Sequence, residues 1–370
     1  MKNFQLTPKI FSFSRFEEFA EEFNIREGDL ILTHEFLYKD FMKDLKAEFV
    51  FQEMYGAGEP SDEMVNRILF DLPKKEIRRI IAVGGGTVID IAKLLVFDGI
   101  TDVLDLFDRK VPFERKRELI IVPTTCGTGS EVTNISILEL KSRKTKMGLA
   151  ADELLADFAV LIPELMEGLP FKFFVSSSID ALIHAVESYV SPKSNHYTEL
   201  FSVKAIEMIM SNYLKIIERG EDYRRELLMD FAVASNYAGI AFGNTGVGAV
   251  HAMSYPLGAA YHVPHGEANY QMFTEVFKAY SIKNPDGKIA GLNAVLADIL
   301  NISGGQELYE ELDRILGRLL AKKPLREFGM EKEEIVSFAD RVIGSQQRLL
   351  ANNYVPLSRE DIIEIYEKLY

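Results

Sequence analysis

Cysteine is almost absent from this sequence of 370 residues, which holds only Cys126. A single cysteine excludes both an intrachain disulfide framework and a cysteine-rich metal site. Any metal ion must therefore be bound by histidine and carboxylate side chains. Histidine is itself scarce, with six in the whole chain, so a cluster of them is informative.

Basic charge is also in deficit, because 42 Lys and Arg stand against 56 Asp and Glu. This balance disfavours nucleic acid and anionic membrane surfaces as partners, since both attract clustered basic residues, and leaves a small molecule as the expected partner. The first residues lack the continuous apolar core of a signal peptide, and no run is long and apolar enough to cross a bilayer. We therefore expect a cytoplasmic protein.

The apolar residues follow two patterns along the chain. Between about residues 28 and 150, short runs rich in Ile, Val and Leu alternate with amphipathic stretches, which predicts parallel α/β units. Beyond about residue 175 the runs are longer and have helical spacing. The sequence thus predicts an α/β domain over residues 1–175 and an all-α domain over residues 176–370.

A glycine run follows one predicted strand in the segment RRIIAVGGGTVIDIAK. We expect Gly84–Gly86 to form the turn and Thr87 to cap the helix that follows. Free N–H groups and the positive end of the helix dipole would suit a phosphate there. The spacing is not that of the G-x-G-x-x-G fingerprint, so an ordinary tight turn remains an alternative.

A second loop of this kind lies in LIIVPTTCGTGSEVT, where a predicted strand leads into Thr124, Thr125 and Thr128. Two such loops at the strand ends of one sheet could together hold a pyrophosphate and a ribose, although a simple turn is again the alternative. We interpret Cys126, which lies in this loop, as a packing residue because no base is adjacent in sequence.

The histidines give the strongest chemical signal. Asp180 and His184 are four residues apart in a predicted helix and share one face, as a surface pair or as two metal ligands. His251, His262 and His265 follow in a glycine-rich, otherwise apolar segment, where each unpaired imidazole would cost about 1–3 kcal/mol. A shared metal or a hydrogen-bond network is the economical explanation. Asp180, His184 and two of these three histidines would suit Fe(II) or Zn(II).

Four segments in this order, GGGTVIDIAK, PTTCGTGSEVT, DALIHAVESYVS and HAMSYPLGAAYHVPHGEAN, resemble the iron-containing (group III) alcohol dehydrogenases. The resemblance runs from about Gly28 to the C-terminus. It implies a Rossmann-like dinucleotide-binding α/β domain followed by an all-α metal-binding domain, with NAD and Fe(II), or else Zn(II), as cofactors. It also implies hydride transfer between an alcohol and nicotinamide.

Further segments, EFLYKDF, YGAGEPSDEM and YHVPHGEANY, resemble family members that interconvert 4-hydroxybutyrate and succinate semialdehyde. Two alternatives remain open: a dehydrogenase of a neutral alcohol or diol, and a noncatalytic nucleotide- or metal-binding module. The architecture also resembles enzymes of phosphorylated substrates, but residues 240–275 lack the basic cluster that a phosphate would need. We further expect a homodimer.

The resemblance implies residue roles wherever the motifs match. The implied metal ligands are Asp180, His184, His251 and His265. The implied cofactor contacts are Gly85, Gly86, Thr87, Asp90, Thr124, Thr125, Thr128 and Lys146. Asp90 as an exposed helix acid, and Lys146 as a surface charge, are the alternatives.

Three departures from the family pattern qualify these roles. Many relatives carry a histidine where this chain has Tyr255, so we predict that His262 takes over the catalytic proton transfer, with a supporting or surface role as the alternative. NAD-specific relatives often place an Asp where this chain reads His34 and Glu35, which weakens the expected NAD preference. The family's Asn-Pro-Thr motif is replaced at residues 59–61 by Glu-Pro-Ser.

Overall fold

A computed structural model describes residues 2–73, 75–143, 145–303 and 307–370. The chain forms two compact units, Leu6–Gly168 and Leu169–Tyr370, the latter including the residues up to Gln5. The sequence predicts a division between residues 175 and 176. The units divide earlier because the first long helix begins at Phe171 and its opening turns belong to the helical unit.

The first unit is built on a six-stranded parallel sheet with strand order β1-β8-β5-β4-β2-β3. The strands β6 and β7 form a separate antiparallel pair. The strands are β1 Lys9–Ser12, β2 Asp29–Thr33, β3 Glu48–Phe51, β4 Arg79–Gly84, β5 Glu118–Pro123, β6 Ile135–Leu140, β7 Thr145–Ala150 and β8 Phe158–Leu161. The helices are α1 Phe16–Glu22, α2 Glu35–Leu37, α3 Asp62–Asp71, α4 Gly86–Leu94 and α5 Leu104–Phe107.

Both faces of this sheet are buried, which explains why its central strands are continuous apolar runs. Along β4, Ile80 and Ala82 belong to one hydrophobic cluster, whereas Ile81 and Val83 belong to the other. Successive side chains of a strand point to opposite faces, so this single run contributes to both cores.

The predicted fold class is confirmed, because every regular element in the described part of the second unit is helical. Its α-helices are α6 Phe171–Val190, α7 His196–Arg219, α8 Leu228–Thr245, α9 Ala249–Tyr261, α10 His265–Lys283, α11 Lys288–Leu300, α12 Glu307–Leu319, α13 Glu334–Ser345, α14 Gln347–Leu350 and α15 Arg359–Leu369. The helix α6 packs against α7, α8 and α10. None of the described helices combines the length and apolarity needed to cross a membrane.

Candidate metal centre and cofactor loops

The buried helix α6 carries the first two candidate ligands. Asp180 and His184 lie one helical turn apart, and both are buried because neighbouring helices cover α6 on several sides. The His184 ring stacks on Phe242 of α8, with the ring centroids 4.2 Å apart. This contact fixes the plane of the imidazole.

His251 lies near the start of α9, and His265 is the first residue of α10. The neighbouring Gly266 allows α10 to begin directly against α6. A Cβ atom added at Gly266 would lie 2.3 Å from the carbonyl oxygen of Ser176 and 3.3 Å from the Cβ atom of Asp180. Glycine at this position therefore permits the close helix contact that brings His265 beside Asp180.

The four predicted ligands converge in space. Asp180, His184, His251 and His265 each offer one ligand atom, and these atoms all lie within 4.8 Å of one another. The Nε2 atoms of His184 and His251 are 3.0 Å apart, and each carboxylate oxygen of Asp180 lies 3.8 Å from a ligand imidazole. Protein N and O ligands lie about 2.0–2.2 Å from a zinc ion, so donors with this spacing can surround one divalent cation.

Electrostatics also favour a cation here. Burial alone would raise the pKa of Asp180, but the neighbouring His184, His265 and His251 and the Asn269 amide outweigh it and lower that pKa. The carboxylate is thus held in the ionised form that a metal ligand requires. The Asn269 amide donates to Asp180 Oδ1 at 2.7 Å and so also fixes the carboxylate's orientation.

Glu187 contacts the ring nitrogen of His251 that faces away from the other candidate ligands. Sequence reasoning did not identify this residue. The Nδ1 atom of His251 lies 2.6 Å from Glu187 Oε2, and the backbone N–H of Val250 donates to Oε1 at 2.8 Å. Because a carboxylate only accepts, this contact places the imidazole proton on Nδ1 and leaves Nε2 free to bind a metal. Glu187 follows His184 by three residues in a mostly apolar helix, which was the available signal.

The first predicted cofactor loop lies at the carboxyl end of β4. Our expectation that Thr87 caps the following helix was wrong, because Gly85 is the N-cap residue and the helix begins at Gly86. The Thr87 hydroxyl instead donates to the carbonyl oxygen of Gly58 at 3.1 Å. A glycine at the N-cap leaves the first N–H groups of α4 uncovered by a side chain, which suits an approaching phosphate.

The second loop follows β5 and touches the first. The strands β4 and β5 pair up to their last residues, so their loops begin side by side at Gly84 and Pro123. A Cβ atom added at Gly85 would lie 3.5 Å from Thr125 Cγ2, and one at Gly86 would lie 3.0 Å from Thr128 Cγ2. The two sequence motifs therefore lie directly against each other.

Asp90 and Lys93 of α4 both form hydrogen bonds with Ser130, at the end of the second loop. The carboxylate of Asp90 accepts from the Ser130 hydroxyl at 2.8 Å and from the Ile137 N–H at 3.0 Å. The fully buried Lys93 donates to the hydroxyls of Ser130 and Thr133 and to a carbonyl oxygen, and burial lowers its pKa to about 8. Sequence reasoning missed Lys93, although a lysine in an apolar helix was a signal. A direct cofactor contact of Asp90 stays a prediction.

Comparison with known proteins identifies the family. Residues 9–163 match "Iron-containing alcohol dehydrogenase", and residues 174–370 match "Fe-containing alcohol dehydrogenase family, C-terminal". This chain belongs to the iron-containing alcohol dehydrogenases. It is 60% identical over 372 residues, covering all of both chains, to 4-hydroxybutyrate dehydrogenase of Clostridium kluyveri. It is 36% identical to long-chain-alcohol dehydrogenase 1 of Geobacillus thermodenitrificans, over 79% of this chain and 74% of that one.

The solved structures agree with the fold of this iron-containing alcohol dehydrogenase. Sulfoacetaldehyde reductase from Bifidobacterium kashiwanohense, in complex with NAD+, matches with a TM-score of 0.83 and 20% identity, covering 100% of this chain and 98% of that one. At this identity the likeness shows the fold alone.

Tyr255, which stands where many relatives carry a histidine, and His262 both lie at α9. The Tyr255 ring lies beside His265, with centroids 6.1 Å apart. His262 is exposed at the C-terminal end of α9, in the left-handed region with φ of 53°. The side chain of His262 is therefore accessible to solvent. Its role in proton transfer stays a prediction.

The Glu-Pro-Ser segment also has a defined position. Glu59 forms an ion pair with Lys146, the predicted cofactor-contacting lysine. The Ser61 side chain accepts from the Met64 N–H and caps α3, as a threonine there could. Glu59, which replaces the Asn of the family motif, thus gives Lys146 an acidic partner.

Proposed function

We propose that this chain is an NAD(H)-linked dehydrogenase that interconverts 4-hydroxybutyrate and succinate semialdehyde. The observation that carries the substrate assignment is the 60% identity over the whole length to an enzyme of that name. The converging ligand set supports metal-dependent chemistry of the alcohol dehydrogenase type. Oxidation would transfer the C–H hydride of the alcohol to NAD+ and release the hydroxyl proton.

We propose Asp180, His184, His251 and His265 as the ligands of a divalent iron, with zinc as the alternative. When bound, such a cation supplies Lewis acidity that favours negative charge on the alcohol oxygen. The protein contributes orientation: Glu187 holds the proton of His251 on Nδ1. The imidazole therefore presents its lone pair on Nε2, where a ligand atom is required.

The cofactor contacts are proposed at the joined loops. The glycine N-cap of α4 and the contact between the two loops support a pyrophosphate site there. Exposure of His262 supports its proposed role in exchanging the hydroxyl proton with solvent. The proposed contacts are Gly85, Gly86, Thr87, Asp90, Thr124, Thr125, Thr128 and Lys146.

A cytoplasmic location and a homodimer complete the proposal. The lack of a membrane-spanning helix among the described residues is compatible with that location. Light scattering of the purified protein would test the dimer, because a monomer and a dimer of a 41.9 kDa chain differ twofold in mass.

The substrate assignment is tested by comparing succinate semialdehyde with butyraldehyde at equal NADH. The two aldehydes share a four-carbon chain, but only the first carries a carboxylate remote from the reacting carbon. Recognition of that carboxylate should favour succinate semialdehyde by about a hundredfold in kcat/KM, a few kcal/mol of transition-state binding. Comparable kcat/KM values would overturn the 4-hydroxybutyrate assignment and support a dehydrogenase of neutral alcohols.

A further inference from the structure

An acidic side chain reaches the carboxyl end of β2 from the neighbouring strand. Glu53 lies in the turn directly after β3, which pairs in parallel with β2. Its Oε2 atom lies 3.0 Å from Nδ1 of His34, the first residue after β2, and its Oε1 atom accepts from the Glu35 N–H at 2.6 Å. These two hydrogen bonds therefore hold the carboxylate of Glu53 at the carboxyl end of β2, beside His34.

This position matters because of the strand order. The strand β2 lies between β3 and β4, and β4 carries the glycine loop. In doubly wound sheets that bind dinucleotides, an acid at the end of the strand next to the glycine loop hydrogen-bonds the 2′-hydroxyl of the adenosine ribose. A 2′-phosphate at the same place would meet a negative charge.

We propose that Glu53, held by His34, is the residue that makes this enzyme prefer NAD(H) to NADP(H). The inference rests on the proposed NAD(H)-linked function and names the group that reads the ribose. The turn after the adjacent strand thus supplies a carboxylate beside His34, whereas Glu35, the acid that follows His34 in sequence, pairs with Lys39.

The local charges agree with rejection of a 2′-phosphate. Partial burial raises the pKa of Glu53, but hydrogen bonds from the Glu35 N–H and His34 outweigh it and lower that pKa, so the group stays ionised at neutral pH. Two nearby cations have partners: Lys39 pairs with Glu35 at 2.9 Å, and Arg67 donates to the carbonyl oxygens of Tyr55 and Met54. Glu53 keeps 42% of its side chain exposed, so a ribose can reach it.

The test is a fluorescence titration of the metal-loaded protein with NADH and with NADPH. In Glu53→Gln the charged acceptor is lost, so NADH should bind at least about tenfold more weakly, while NADPH should bind no worse than before. The ratio of the two dissociation constants should therefore shift toward NADPH by tenfold or more. A residue that merely stabilised the turn would weaken both cofactors equally and leave that ratio unchanged.

Glu48→Gln is the matched control. Glu48 is the first residue of β3, so this substitution removes the same charge from the opposite end of the strand. It should leave the ratio unchanged, since the two ends lie more than a Debye length of about 10 Å apart. A ratio in Glu53→Gln within about threefold of wild type, or an equal shift in Glu48→Gln, would overturn the inference alone. Failure of wild type to bind NADH would overturn both the inference and the proposed function.

Discussion

Replacing Glu187 by Gln is the substitution from which the structure makes the sharpest prediction. The carboxylate accepts two buried hydrogen bonds at once, from His251 Nδ1 and from the Val250 N–H. A glutamine of the same shape has one oxygen, so it can satisfy only one of these donors, and its NH2 group must face the other. The change therefore alters hydrogen bonding without removing volume.

The size of the effect follows from that conflict. Leaving one buried donor without an acceptor costs about 1–3 kcal/mol. His251 could avoid the conflict by moving its proton to Nε2, but that nitrogen is the proposed ligand atom, so the proton would compete directly with the metal. Either way, we expect metal affinity to fall by about 10–100-fold, the usual effect of losing such a supporting group.

The assay is competition between the protein and a chelator for Co(II), followed by the visible absorption of the bound ion. Ser188→Ala is the matched control, because Ser188 is the next residue of α6 and accepts a buried hydrogen bond from Thr245 rather than from a ligand. Ser188→Ala should keep wild-type metal affinity. If Glu187→Gln also binds Co(II) within about twofold of wild type, the assigned role of Glu187 is refuted.

Three further substitutions test the site and the loops. In Gly86→Val, whose Cβ would lie 3.0 Å from Thr128, the NADH dissociation constant should rise while metal content stays constant; an unchanged NADH titration would count against the loop assignment. Gly266→Ala should force α10 away from Ser176, lowering stability by about 1–3 kcal/mol together with metal affinity, and wild-type behaviour in thermal unfolding and metal titration would contradict this. Because the folded pKa of Lys93 is about 8 against 10.5 ordinarily, the unfolded chain binds more protons between these pH values. Wild type should therefore gain stability relative to Lys93→Met as the pH rises through that window, and urea unfolding with no relative gain would show that the pKa of Lys93 is not lowered.

Much of the fold was predictable because the spacing of apolar residues along the chain follows which faces of each strand and helix are buried. The continuous apolar run of β4 follows from its contact with two cores, and the long helical pattern after residue 175 follows from burial of α6. The end of a unit depends on tertiary packing, so the first turns of α6 could not be assigned from sequence. The helix start at Gly86 was missed because both Gly85 and Thr87 are acceptable N-cap residues.

The site divides in the same way. The Asp180 and His184 pair is readable because helical spacing alone places both side chains on one face. The proposed roles of Glu187 and Glu53 depend on contacts with residues of other elements, at His251 and at His34. Such pairings are set by helix packing and strand order. The spacing of Glu187 from His184 was a signal for that residue, but it does not identify His251 as its partner.

The most direct test of the account is turnover of 4-hydroxybutyrate and NAD+ by protein that has been stripped with a chelator and then reloaded anaerobically with Fe(II). Stripped protein should produce no reduced nicotinamide, and Fe(II) should restore its formation. His265→Ala should stay inactive with Fe(II) while its NADH titration remains close to wild type, because His265 is proposed to hold the metal that acts on the substrate oxygen and is not a proposed cofactor contact. Full turnover by the stripped protein, or by His265→Ala, would contradict the claim that these four residues hold the catalytic metal.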